Sequence, residues 1–412
     1  MPEDRRLIFK KNISTSADLI YRAFTSGTAL REWLCDISTT NPIEGGRMFL
    51  AWYRGYFASG YFTKLIPDKA ISFSWIGKDD PEWTQVNVLI HPTDIKDEVQ
   101  VELNHLGVGS DPSWASTRDE ITKGWELGLE NLKSTLEVGQ DLRMVNRPLI
   151  GIYPEDLDSL TNEARENLSI PVVFGVVVSD VIPEYGADQA GMQPEDVIVA
   201  IEGKKIENIR ALGVMMNEFS PGDKIKLEVY RGPQKVILDV NTKVQNPQVL
   251  PESLEELAKE LETSSSNVLE TLEGVLENIT DAEASYSPGP EEWSVKEVLV
   301  HLIHNEREIH SWINDLYADQ EGQHDEWPGD NLFRIRATLT AYPTVDDLLT
   351  ELRLSLKETV ACVAFLDHDF TRRKQSFSRL ATALLGAPKH IIEHIQQIED
   401  NINAARSAKF GR

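Results

Sequence analysis

The chain has 412 residues, 41 of them basic and 67 acidic, for a formal charge of −26 and an apolar share of 41%. At roughly 150 residues per domain this length predicts about three domains. The charge excludes sequence-independent nucleic-acid binding, because it repels phosphate backbones, and the apolar and aromatic content excludes global disorder. The only cysteines, Cys35 and Cys362, lie far apart in the chain and predict a reducing, cytoplasmic setting without a disulfide framework. Met1-Pro2-Glu3-Asp4-Arg5-Arg6 carries no apolar signal core and no run of about 18 apolar residues follows, so no membrane partner is expected.

Up to about Leu106 the hydrophobic pattern alternates. Ile71-Ser72-Phe73-Ser74-Trp75 and Val99-Gln100-Val101-Glu102-Leu103-Asn104 predict strands, with Gly45-Gly46, Pro67-Asp68 and Gly77 as turns. A short helix is expected over Asp18 to Phe24. From near Ser116 the period changes, and Ile121, Trp125, Leu129, Leu132 and Leu136 line one side of a long helix. This is an α+β domain over 1–140. Trp52, Trp75, Trp83 and Trp125 read as core filling. His91 and His105 have no acid–base partner at motif spacing, so no catalytic residue is assigned here.

Ala29-Leu30-Arg31-Glu32-Trp33, Glu44-Gly45-Gly46-Arg47, Gly60-Tyr61 and Gly124-Trp125 before Leu129-Glu130-Asn131-Leu132 resemble the START-like (SRPBCC) superfamily. Within it they are similar to the homologues of the heat-shock-protein-90 ATPase activator, over about residues 6–138. The resemblance implies a helix-grip fold, a curved sheet around a long helix. It also implies an apolar cavity for a small hydrophobic ligand, and it makes stress-related co-chaperone work one functional reading.

The second domain is expected over 145–245. Strands are predicted at Gly175–Val178, Val197–Ile201 and Lys224–Val229, and a helix near Asn208 to Phe219. Arg147-Pro148-Leu149-Ile150-Gly151-Ile152, Ala187-Asp188-Gln189-Ala190-Gly191, Asp196-Val197-Ile198 and Ile201-Glu202-Gly203 resemble a mainly-β PDZ domain of the bacterial HtrA type. The resemblance implies capture of a carboxy-terminal peptide or protein partner. The loop Leu149, Ile150, Gly151 and Ile152 would take the carboxylate, and Leu212 and Met216 would form the opposite wall. Pro194-Glu195-Asp196 departs from the family's Pro-Gly-Asp turn; a non-glycine residue at positive φ there costs about 1 kcal/mol. No Gly-x-Ser-x-Gly elbow occurs, which disfavours proteolysis.

Gln245 to Pro251 reads as a linker, and an all-α four-helix bundle is expected over 252–408. Leu254, Leu257, Leu261, Leu269, Leu272, Leu276 and Ile279 mark the first helix. Ser294-Val295-Lys296-Glu297 and Thr344-Val345-Asp346-Asp347 are capping boxes that open the second and third. Pro388 is expected to open the fourth. His390 and His394, four apart, share a helix face, and with His301 they could hold Zn²⁺ or Ni²⁺. A solvated face explains such a pair equally well. Trp293 eight residues before His301, His301-Leu302 and the terminal His-x-x-x-His helix resemble the DinB-like superfamily. The resemblance implies divalent metal bound by His301, His390 and His394, in a family that includes thiol transferases and hydrolases. His304, His310, His324 and His368 match nothing in that pattern and are expected at the surface.

Two functional classes stay open. One is a multi-domain binding or adaptor protein; the other is a metal-dependent thiol transferase or hydrolase working at the bundle.

Overall fold

Alternating buried and exposed side chains build the first seven strands: β1 (Arg6–Ile13), β2 (Ile37–Thr40), β3 (Arg47–Ala51), β4 (Phe57–Ile66), β5 (Ala70–Gly77), β6 (Thr84–Pro92) and β7 (Val99–Leu106). The computed structural model describes residues 5–53, 55–160, 162–244, 249–289, 292–322 and 332–410. The seven strands form one antiparallel sheet in the order β1-β7-β6-β5-β4-β3-β2. Packed against it in one core are α1 (Ala17–Thr25), α2 (Gly27–Trp33) and the 23-residue α3 (Ala115–Glu137). Ile121, Trp125, Leu129, Leu132 and Leu136 are buried, as their spacing predicts. Trp75 and Trp125 meet in the core with ring centroids 5.6 Å apart. Trp83 does not: it is 52% exposed and leans on Tyr61 outside the sheet, because it stands in the turn just before β6.

His105 is fully buried beside this pair. The Trp125 indole can only donate, and it donates to His105 Nδ1 at 3.1 Å. The proton of the neutral ring therefore sits on Nε2, which faces Thr84 Oγ1 at 2.8 Å, and Thr84 in turn donates to the Trp75 carbonyl. Burial holds the imidazole pKa down at about 3.

The middle segment comprises α4 (Leu142–Val145), β8 (Ile152–Asp156), α5 (Asn162–Asn167), β9 (Val176–Val181), α6 (Gly186–Gln189), β10 (Val197–Ile201), β11 (Lys204–Lys205), α7 (Ile209–Met216), β12 (Lys224–Arg231) and β13 (Gln234–Asn241). Its sheet runs β13-β12-β10-β9-β8, with β11 on β10, so β8 is an edge strand. Glu195 has φ +70°, the left-handed conformation expected from its place in the Pro-Glu-Asp turn. The neighbouring Asp196 is fully buried and is gripped by Arg231 through two contacts of 2.7 Å.

The remaining helices are α8 (Leu254–Val275), α9 (Asp281–Ala284), α10 (Val295–Tyr317), α11 (Leu332–Ala341), α12 (Val345–Ala364) and α13 (Lys374–Phe410). Ser294 with Glu297 and Thr344 with Asp347 form the two capping boxes. Pro388 opens nothing; it lies inside α13. A proline there deletes one helical hydrogen bond at a cost of about 3 kcal/mol. Packing on both sides offsets that, with Leu380 and Leu384 before it and Ile391, Ile398 and Ile402 after it buried in the bundle. The long helices α8, α10, α12 and α13 pack pairwise into the bundle. Residues 245–248 of the expected linker, and His324, lie outside the described residues. By compactness the chain divides into two units, Met1–Gln140 with Val249–Arg412, and Asp141–Gln248. No described helix is long and apolar enough to cross a membrane.

Candidate functional site

The three histidines converge. His301 comes from α10, and His390 and His394 come from one face of α13. His390 Nε2 lies 3.2 Å from His301 Nε2 and 3.1 Å from His394 Nε2. The three rings stand edge to face, with centroids 4.8–5.0 Å apart. Two nitrogens bound at about 2.1 Å to one ion and separated by these distances subtend an angle of about 95–100° at it, a normal value for neighbouring ligands. The donor set also fits. His394 Nδ1 donates to Gln397 Oε1 at 2.8 Å, which leaves the Nε2 lone pair facing the common centre. Burial, reinforced by the neighbouring rings, holds His390 and His394 below the ordinary imidazole range, so both are mainly neutral at pH 7 and able to ligate. Glu393 turns instead toward Lys389, at 3.6 Å. The Trp293 ring covers His301 at 5.2 Å, and Asn401 on α13 holds the Trp293 carbonyl at 2.8 Å.

Gln397 was not singled out by sequence reasoning. Its signal is an i, i+3 partner for a candidate ligand, which only the ring orientation makes meaningful. Gln397→Leu should weaken divalent-metal binding about 10–100-fold, read by competition against a chromophoric chelator. Two of the histidines expected at the surface are not there. His304 is buried against Thr338 at 2.9 Å, and half-buried His310 bonds Thr359 at 2.8 Å. Both face inward because α10 is enclosed by α11 and α12 along this stretch, and hydrogen-bonding hydroxyls meet them. His368 is exposed, as expected.

The middle segment places its predicted residues at one end of the sheet. Leu149 is bridged to Lys243 in both directions, at 2.8 and 2.9 Å. The Ile150 carbonyl accepts from Ala187, and the Gly151 carbonyl accepts from Ile182. No protein acceptor among the described residues takes the N–H of Ile150 or Gly151. Gly151 has φ +84°, and a Cβ there would lie 2.0 Å from Tyr185 Cβ, so the residue makes room for a side chain of its own domain. Ile150, Leu212 and Met216 share one buried apolar cluster, with Ile152 partly buried against it. Strand β8 begins at Ile152 and leaves one edge unpaired within its sheet.

Residues 14–137 match the family described as Activator of Hsp90 ATPase homolog 1-like protein, 148–244 match the PDZ domain, and 244–398 match the DinB superfamily. The chain joins an Hsp90-ATPase-activator-like domain, a PDZ domain and a DinB-type bundle. Among curated proteins it is similar to the probable periplasmic serine endoprotease DegP-like of Chlamydia trachomatis (31% identity, 23% of this chain and 19% of that protein). It is also similar to the periplasmic serine endoprotease DegP of Escherichia coli K12 (31% identity, 28% and 23%). The chain thus spans about a fifth of the length of these relatives. Among solved structures it is similar to the Aha1 dimer of Colwellia psychrerythraea (20% identity, 33% of this chain, 98% of that chain, TM-score 0.30). Another is CalU16 of Micromonospora echinospora (22% identity, 30% and 71%, TM-score 0.26).

Proposed function

We propose that this is a cytoplasmic adaptor that recruits a carboxy-terminal peptide through its PDZ domain while the DinB-type bundle holds a divalent metal. The observation that carries the reading is the pair of consecutive amides, Ile150 and Gly151, lacking protein acceptors beside an open strand edge. Such a pair supports carboxylate capture, and the edge supports strand addition. Hydrophobic carboxy-terminal peptides should bind at micromolar concentration, and amidating the terminal carboxylate should weaken them at least about tenfold, the loss of a charge-assisted hydrogen bond. Gly151→Val should abolish binding, because its side chain collides with Tyr185. A peptide-library screen by fluorescence polarisation that returns no binder, or binders indifferent to amidation, would refute the reading.

The convergent imidazoles favour a second reading, a metal-dependent thiol transferase or hydrolase at the bundle. His301, His390 and His394 would hold the ion, which would supply Lewis-acid activation of a thiol or of water. Gln397 would orient His394, and Trp293 would wall the site on the His301 side. The activator-like domain adds the expectation of a hydrophobic ligand or a chaperone-related partner.

A further inference from the structure

We infer that the α1–α2 face of the activator-like domain is a docking surface whose partner is the bundle of the same chain, so that the two unfold as one body. The middle domain separates them in sequence, yet an alternating chain of charges joins them. Asp319, just past α10, takes the Arg22 guanidinium at 2.6 and 2.8 Å. Arg22 reaches Glu32 at 3.2 Å, and Glu32 reaches Arg379 at 3.3 Å. Arg379 grips Glu321 at 2.7 and 3.0 Å, and the Glu321 carbonyl accepts from Arg31 at 3.1 Å. The chain crosses between the domains three times. Arg22, Arg31 and Glu32 sum to +1 on one side; Asp319, Glu321 and Arg379 sum to −1 on the other.

Glu32 shows why this is a committed interface. It is 6% exposed, and its Oε1 accepts from Ser376 at 2.6 Å as well as from Arg379. Two of its three partners, Ser376 and Arg379, come from the bundle, so its burial is satisfied only while the bundle is docked. Removing a partner with the interface closed leaves a buried charge short of contacts. Backbone geometry agrees at two places. Asp319 adopts φ +57° at a helix end where glycine is unstrained, so a carboxylate has been kept there against local preference. Gly139, at φ +68°, approaches α13 so closely that a Cβ would lie 2.7 Å from the Lys374 carbonyl. Buried charge chains of this kind select one geometry more than they add strength. An outside protein that engages the activator-like domain must therefore use another face.

None of these residues belongs to the histidine cluster, so the test stands apart from metal content. In calorimetry the full chain should show two unfolding transitions, one for this body and one for the PDZ domain. In hydrogen exchange, Asp319→Gly should speed opening of residues 17–33 roughly tenfold, although glycine suits that backbone, and leave the PDZ peptides within about twofold as an internal control. Glu32→Ala should act in the same direction and more strongly. Three transitions in the full chain, or an Asp319→Gly variant whose residues 17–33 are as protected as before or more so, would overturn the inference.

Discussion

On the metal-centred reading, His394→Ala is expected to abolish divalent-metal uptake by the bundle. The substitution removes one of three convergent nitrogens, one whose tautomer is oriented by Gln397. Loss of an outer partner of a ligand already costs about 10–100-fold in affinity, so loss of the ligand itself should exceed about 100-fold. Elemental analysis of purified protein, before and after reconstitution with Zn²⁺ or Ni²⁺, reads the result directly. Stoichiometric metal in the parent and none in the variant is the expected pattern. A parent chain that takes up no metal after reconstitution removes the metal-centred reading altogether. His301→Ala and His390→Ala should behave alike, because all three nitrogens face one centre.

The second large effect concerns acid. His105 titrates near 6.5 in the unfolded chain and at about 3 in the folded one, because burial penalises its charged form. Between those values the unfolded state binds the extra proton, so stability falls as pH falls. The contribution is intact above pH 6.5 and is lost at about 1.4 kcal/mol per pH unit below it, the total loss amounting to about 4–5 kcal/mol near pH 3. The structure names the mechanism: a proton on Nδ1 would displace the bond from Trp125, which has no way to accept. Urea midpoints measured from pH 7.5 to 5 should drop steeply for the parent chain. In His105→Gln the slope should flatten, even if the variant starts from a lower midpoint. Parallel slopes would show that another group governs acid sensitivity.

These two histidine environments differ in how far they could be read in advance. For His390 and His394 a spacing of four on one helix places both rings on one side. That is local geometry, and it survives folding. The same is true of the capping boxes at Ser294 and Thr344, of the alternation in β5, and of the left-handed Glu195, each decided within a few residues. His105 shares no such pattern with Trp125 and Thr84. They meet because β6, β7 and α3 are brought together across the sheet and its helix.

What the amino-acid order determined by itself was the set of parts: an alternating sheet with a long closing helix, a turn-rich β domain, and amphipathic helices carrying three ligand-type residues. What only the tertiary structure decided was the company those parts keep. Pro388 is held inside a continuous helix by packing on either side of it, His304 is buried by a neighbouring helix, and Gly151 yields space to Tyr185. Glu32 is completed by residues more than three hundred positions away. Local propensity acts over a few residues, whereas the burial of a charge, a ring or a strained backbone is settled by groups whose sequence separation carries no signal until the chain has closed on itself.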